Sequence, residues 1–116
     1  MEEKGLIYVF TGNGKGKTTA AIGQAVRAVG QGCQVLMVQF IKQIISGEVE
    51  TLRKLGAEIY PMGEGFVGIM GDRKPREVHV QAAVKALKFA EDKIGNGDYR
   101  LLILDEINVV VHLGLL

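Results

Sequence analysis

The chain has 116 residues, 47% of them hydrophobic, which is enough for one packed core and too little for two domains. Its 14 lysines and arginines nearly cancel its 13 aspartates and glutamates, so the net charge does not favour binding to nucleic acid or to an anionic membrane. No apolar run reaches the roughly 20 residues of a membrane-spanning helix, and the N-terminus lacks a basic-then-apolar signal pattern. We therefore expect one cytoplasmic domain without a nucleic-acid or membrane partner.

Strand and helix patterns alternate along the first half of the chain. Runs of β-forming residues at 6–10 and 34–40 predict two buried strands. Between them, small and aliphatic residues recur at helical spacing from Thr18 to Gln31. A short amphipathic stretch at 48–55 predicts a second helix, and residues 57–60 predict a third strand before a proline.

The second half continues the alternation after a glycine-rich segment. Four glycines without a period between residues 62 and 74 predict a mobile loop. A long helix is predicted from Pro75 to a stop at 95–97, and an apolar strand at 101–104 follows it. The residues predicted to face inward from the long helix are Val78, Ala82, Val84, Ala86, Leu87, Phe89 and Ala90. Strands separated by helices imply a parallel sheet with helices on its faces, an α/β fold.

The segment from Thr11 to Thr19 predicts a P-loop, because it lies between the first strand and the first helix. Its alternating glycines allow successive backbone N–H groups to surround phosphate oxygens, and the helix N-terminus adds partial positive charge. Lys17 supplies a full positive charge, and the Thr18 hydroxyl is the expected magnesium ligand. The expected nucleotide-binding residues are Gly12, Asn13, Gly14, Lys15, Gly16, Lys17, Thr18 and Thr19. The fold prediction is therefore a P-loop NTPase-like (RecA-like) domain over residues 1–116.

The loop departs from the strict P-loop pattern at Thr11, where that pattern has a glycine, and Gly12 is expected to take over the turn. A dinucleotide-binding fingerprint is excluded, because Lys17 stands where its third glycine belongs. The alternative of a glycine-rich turn with incidental lysines is disfavoured, because strand, loop and helix occur in the required order.

Asp105 and Glu106 follow four aliphatic residues at the end of the last predicted strand. In a P-loop protein a carboxylate in this position lies near magnesium, directly or through water. The pair is predicted to be part of the metal site, and the spacing leaves open which carboxylate touches the metal. The alternative is a solvated turn. Asn13, Lys15, Gln39 and Lys42 also lie at carboxyl ends of strands, and we rank Asn13 and Lys15 above the other two as ligand contacts.

Several segments together carry a family resemblance. They are Thr11–Ala21, Arg27-Ala28, Val38–Lys42, Gly47-Glu48, Gly65-Phe66 and Leu104–Glu106. Together they resemble the ATP:corrinoid adenosyltransferases of cobalamin synthesis and salvage. The most specific elements are the Gly-Asn-Gly-Lys-Gly-Lys-Thr-Thr loop and the Gln-Phe-Ile-Lys segment, which general P-loop ATPases do not share in this combination.

The resemblance implies transfer of the 5′-deoxyadenosyl group of ATP to the cobalt of a reduced corrinoid, cob(I)alamin or cobinamide, with triphosphate as the leaving group. It assigns catalytic roles to Lys17, Phe66 and Glu106, with Phe66 against the corrinoid, and it adds Arg27 to the nucleotide contacts. ATP, Mg²⁺ and the corrinoid are the expected ligands. A flavoprotein reductant and a second copy of the chain, in a homodimer, are the expected protein partners.

Alternatives to these assignments stay open. Phe66 can instead anchor its loop to the core, and Arg27 can be an ordinary exposed helix arginine. An ATPase or kinase acting at the γ-phosphate is the rival enzyme, and a non-catalytic ATP-dependent binding module is the rival outside enzymes. The chain also ends ten residues after Glu106, where the resembled family continues, so we expect the domain to be incomplete at its C-terminus.

Overall fold

The fold is described from a computed structural model, which covers residues 6–8, 16–41, 47–64 and 74–116; at 6–8 and 16–19 the description is of the backbone. In chain order the elements are β1 (Leu6–Tyr8), α1 (Gly16–Gly30), β2 (Val35–Gln39), α2 (Gly47–Lys54), β3 (Glu58–Pro61), α3 (Arg76–Asn96), β4 (Leu101–Asp105) and α4 (Ile107–His112). In this part of the chain, no helix combines the length and the apolar character needed to span a membrane.

The described strands form one parallel sheet in the order β1-β4-β2-β3. β4 therefore lies between β1 and β2, although it comes last among these strands in the sequence. Parallel strands place all their carboxyl ends at one edge of the sheet, and each connection must return across a face, here through helices. The predicted α/β architecture with a parallel sheet is confirmed.

Each face of the sheet is covered by a different pair of helices. Side chains alternate between the faces along each strand. One face packs against α1 and α2; its buried residues are Ala21, Ala25, Val35, Met37, Val49, Leu52, Ala57, Ile59, Leu101 and Ile103. The other face packs against α3 and α4; its buried residues are Leu36, Val38, Phe40, Ile41, Ala83, Ala86, Ala90, Leu102, Val110 and Leu115. The prediction of helices on both faces is also confirmed.

The end of α1 shows how the sequence stops a helix before β2. The N–H of Gly32 donates to the carbonyl of Val29 at 2.9 Å, and the N–H of Cys33 donates to that of Ala28 at 3.0 Å. This pair of bonds is the Schellman motif, whose residue after the cap adopts a left-handed conformation. Gly32 has φ 80°, which a residue without Cβ adopts at little cost.

The buried stripe of α3 differs from the prediction. Val84 was expected to face inward and is 52% exposed, whereas His79 is 4% exposed. The helix contacts the sheet through Ala83, Ala86 and Ala90, which recur at positions i, i+3 and i+7. Small side chains let the helix lie close to the sheet, so they set the inward stripe and turn Val84 outward.

Several boundaries also differ from the sequence predictions. α3 continues through Gly95 and Asn96, and α4 was not predicted at all. β3 includes Pro61, which lacks an N–H donor. Pro61 is tolerated because β3 lies at the edge of the described sheet and pairs with β2 alone.

A polar cluster centred on Glu58 connects β3 to α3 and to the segment before β4. Tyr60 Oη donates to Glu58 Oε1 at 2.8 Å, Tyr99 Oη donates to Oε2, and Lys93 Nζ lies 3.0 Å from Oε1. The Tyr99 hydrogen bond, with smaller contributions from Lys93 and Tyr60, lowers the pKa of Glu58 below its ordinary value. Burial and the neighbouring Glu58 carboxylate raise the pKa of Tyr99. The Tyr60 ring also packs edge-on against Phe89, with centroids 4.7 Å apart.

Candidate functional site

The carboxyl ends of three strands meet at one level of the sheet edge. Gln39 at the end of β2 is in register with Asp105 of β4 on one side and with Pro61 of β3 on the other. Helix α1 connects β1 to the parallel strand β2, so it begins at this same edge and runs back across the sheet. The first turn of α1 therefore lies at the same carboxyl edge of the sheet as Asp105.

Asp105 and Gln39 form a buried polar pair at this edge. Asp105 is 4% exposed, and Gln39 is 0% exposed. Gln39 Nε2 donates to Asp105 Oδ2 at 3.1 Å. Both residues continue the alternation that places Met37 and Ile103 on the face covered by α1. The pair thus lies on the same face as α1, the helix that follows the predicted P-loop.

The carboxamide of Gln39 is only partly satisfied. Its Oε1 atom is buried and has no hydrogen-bond donor among the residues that the structure describes. The orientation of the amide follows from chemistry, because a carboxylate only accepts hydrogen bonds and the Nε2 group must face Asp105. A buried acceptor without a donor is unusual in a folded protein and marks a place where a ligand or water can bind.

Glu106 occupies a strained turn directly after Asp105. Its backbone has φ 62° and ψ 24°, the left-handed region, and it is the one non-glycine with positive φ in the described ranges. A side chain in this region costs of the order of 1–3 kcal/mol, and such strain is concentrated at functional sites. Glu106 is half-buried, and its Oε2 atom is buried. The turn begins α4 immediately and places a second carboxylate beside Asp105 in the chain.

The segment after β3 is packed against the end of β2. Gly63 is buried, and a Cβ atom there would lie 2.1 Å from the backbone carbonyl of Ile41. Glu64, the next residue, accepts two hydrogen bonds from Lys74: Nζ donates to its carbonyl and to its Oε2, both at 2.9 Å. The Glu64–Lys74 contact therefore connects the residues before and after 65–73, and it does so close to the carboxyl edge of the sheet.

The predicted site residues are described to different extents. Gly12, Asn13, Gly14, Lys15, Lys42 and Phe66 lie outside the described residues. Gly16, Lys17, Thr18 and Thr19 form the first turn of α1. Arg27 is exposed in the last turn of α1, about 16 Å along the helix axis from Gly16 at 1.5 Å per residue. Its contact with the nucleotide stays a prediction.

Asp105 and Glu106 are the carboxylates at this edge that could hold a metal ion. Within the ranges described, no group of three or more His, Cys, Asp or Glu side chains is close enough to hold a metal. Mg²⁺ is usually held by one or two carboxylates together with substrate phosphates and several waters. Asp105 and Glu106 match that requirement, since they lie at the edge where α1 begins.

Gln39 is a strand-end residue whose polar partner the sequence analysis did not identify. It was named as a strand-end residue and placed below Asn13 and Lys15. The signal that could have found it is the alternation along the strand: Val35, Met37 and Gln39 share one face, so a polar residue continues a buried apolar stripe. Such a residue requires a polar partner, and Asp105 on the neighbouring strand is that partner.

The family model and the curated relatives that match this chain indicate the same family. The family model of the ATP:corrinoid adenosyltransferases BtuR/CobO/CobP matches residues 3–116. The corrinoid adenosyltransferase of Escherichia coli (strain K12) is 41% identical over 112 residues, which cover 96% of this chain and 56% of that protein. That of Pseudomonas aeruginosa is 37% identical over an aligned length of 118 residues, covering 99% of this chain and 57% of the relative. Corrinoid adenosyltransferase CobA of Salmonella typhimurium is 40% identical over 112 residues, with 96% and 56% covered.

The chain spans about half the length of these curated relatives. The matched region nevertheless takes in nearly the whole chain, including the predicted P-loop, the Gln39 strand end and the acidic pair. The chain therefore belongs to the family of ATP:corrinoid adenosyltransferases.

Proposed function

We propose that this protein transfers the 5′-deoxyadenosyl group of ATP to the cobalt of a reduced corrinoid, such as cob(I)alamin or cobinamide, and releases triphosphate. The observation that carries the proposal is the family match over residues 3–116. The buried Asp105 carboxylate on the face of α1 supports the nucleotide half of it. The names of the relatives support the corrinoid half.

The reaction explains why the site needs no activated nucleophilic side chain. The reduced cobalt supplies an electron pair to C5′ of ATP, the C5′–O bond breaks, and its electrons leave with the triphosphate. Cobalt is oxidised by two electrons as the cobalt–carbon bond forms. The protein has to orient C5′ and neutralise the charge that develops on the leaving group.

Each site residue has a proposed part in that task. Lys17 and the P-loop backbone from Gly12 to Thr19 hold the triphosphate, and Arg27 contributes to nucleotide binding. Thr18, Asp105 and Glu106 hold Mg²⁺, which supplies positive charge to the leaving phosphates. Phe66 packs against the corrinoid. A flavoprotein reductant that supplies the cobalt with electrons and a homodimeric, cytoplasmic protein complete the proposal.

Product analysis tests the proposed function. The protein is incubated with ATP, Mg²⁺ and chemically reduced cobalamin without oxygen, and the nucleotide products and the corrinoid spectrum are measured. We expect triphosphate and adenosylated corrinoid in equal amounts. Stoichiometric ADP would instead support a γ-phosphate ATPase or kinase. Bound but unchanged ATP on the folded protein would support a non-catalytic binding module.

A further inference from the structure

We propose that Gln39 is a positioning residue of the ATP–metal site: its amide N–H holds the Asp105 carboxylate, and its Oε1 atom accepts a hydrogen bond from a water molecule bound to the metal. The inference rests on the magnesium part of the proposed function. It assigns a role to a residue that binds neither phosphate nor metal itself.

The first step of the argument is the fixed direction of the carboxamide. The Nε2 group is committed to Asp105 Oδ2 at 3.1 Å, so Oε1 must point to another group. Gln39 is fully buried, and β2 is buried along its whole length, which leaves bulk water no access to that atom. The acceptor has no donor in the described chain.

The second step is the location of this acceptor. Gln39 and Asp105 are Cα partners on adjacent parallel strands, so their side chains leave the sheet side by side on the face of α1. The carboxyl edge where they lie is the edge at which α1 begins. An acceptor beside a carboxylate is complementary to the water shell of Mg²⁺, which keeps several waters that each donate hydrogen bonds. Partners of this kind orient metal ligands and influence metal affinity.

The test compares metal dependence in Gln39→Met with that of the wild-type protein. Methionine retains the length of the side chain and removes both polar atoms. ATP binding is measured by calorimetry over a range of Mg²⁺ concentrations and again in EDTA. We expect the Mg²⁺ concentration for half-maximal binding to rise about ten-fold, while ATP affinity in EDTA changes less than about two-fold. Met37→Leu, on the same face of the same strand, is the matched control and should leave both unchanged.

A second comparison separates positioning from packing. In an Asp105→Asn background, Gln39→Met should change the Mg²⁺ midpoint by less than it does in the wild-type background, because the carboxylate that Gln39 holds is already lost. Gln39→Asn retains a carboxamide that is one methylene too short to reach Asp105. Gln39→Asn should raise the Mg²⁺ midpoint as Gln39→Met does, and it replaces Gln39→Met in the test if that variant does not fold.

Three results would overturn the inference. One is an unchanged Mg²⁺ midpoint in Gln39→Met and Gln39→Asn. Another is an equal loss of ATP affinity with Mg²⁺ and with EDTA, which would identify a protein group or the nucleotide as the donor to Oε1. The third is a full additional shift in the Asp105→Asn background. None of these measurements uses a corrinoid, so failure of wild-type protein to adenosylate cobalamin would reject the proposed function and leave this inference intact.

Discussion

A buried carboxylate destabilises a fold unless hydrogen bonds or positive charges compensate it. Asp105 is 4% exposed, and one of its compensating bonds comes from Gln39 on the neighbouring strand. The residue is thus held in one orientation before any ligand arrives. Such preorganisation favours a role that requires a fixed carboxylate direction, as magnesium binding does.

Removing one negative charge from the edge tests the metal assignment. In Asp105→Asn or Glu106→Gln, we expect the Mg²⁺ concentration for half-maximal ATP binding to rise about ten-fold for at least one variant, because a neutral amide is a weaker ligand for a hard cation. The measurement is a magnesium titration of ATP binding. Asp98→Asn, at an exposed aspartate before β4, is the control. Titrations identical to wild type in both variants would show that the carboxylates form only a turn.

Glu106 provides a test of strain at the same site. With φ 62° at this position, Glu106→Gly should be more stable than Glu106→Ala by about 1 kcal/mol, since both remove the carboxylate and only glycine relieves the left-handed backbone. Urea unfolding of the two variants measures the difference. Equal stabilities, or a more stable alanine variant, would mean that the turn changes conformation when the side chain is shortened.

At the scale of the elements, most of the pattern followed from local sequence. The apolar runs at 34–40 and 101–104 predicted β2 and β4 correctly, because these signals act within a few residues. The inward stripe of α3 was not predictable in the same way. Val84 is more apolar than Ala83, yet the close approach of the helix to the sheet favours the alanine stripe. α4 was missed because it is short and begins at a strained residue instead of a capping side chain.

The connection after β3 depends on one glycine. A Cβ at Gly63 would lie 2.1 Å from the Ile41 backbone, which cannot move without displacing the end of β2. Gly63→Ala should therefore lower the free energy of unfolding by about 3 kcal/mol. Gly23→Ala is the matched control: Gly23 is exposed within α1 with nothing within 4 Å of its Cβ position, so the change should raise stability by up to about 1 kcal/mol. If both variants changed the free energy of unfolding in the same direction, the proposed steric role of Gly63 would be contradicted.

The attachment of β3 to α3 should depend on pH through Glu58. Because hydrogen bonding lowers its pKa in the folded state, the unfolded chain binds more protons in the acid range. The contribution of Glu58 is fully present above the ordinary value of 4.5 and is lost as pH falls through the lower folded pKa. We therefore expect wild type to be more stable than Glu58→Gln at pH 7, with the difference shrinking below about pH 4.5. Thermal melts across that range provide the measurement, and a pH-independent difference would exclude this linkage.

At the scale of the molecule, the layers were predictable and the strand order was not. Local patterns showed which segments are strands and that helices separate them. They contain no information on which strand pairs with which, since β1 contacts β4 and β4 contacts β2 through residues far apart in sequence. The pairing of Gln39 with Asp105 could not be derived for the same reason. The candidate site was therefore predictable as two separate motifs, and its central polar pair became visible only with the sheet.

The insertion of β4 between β1 and β2 also determines the order in which the sheet can form. β2 and β3 are close in sequence and can pair early, whereas Leu6 must wait for Leu101 before its strand has a partner in the described sheet. Contacts of such long sequence separation form slowly because loop-closure entropy opposes them. In pulse-labelling hydrogen exchange during refolding, the β1 amides should gain protection together with β4 and later than β3. In a newly synthesised chain β1, the strand before the predicted P-loop, would then pair later than β3, so that nucleotide binding at that loop would report a late stage of folding.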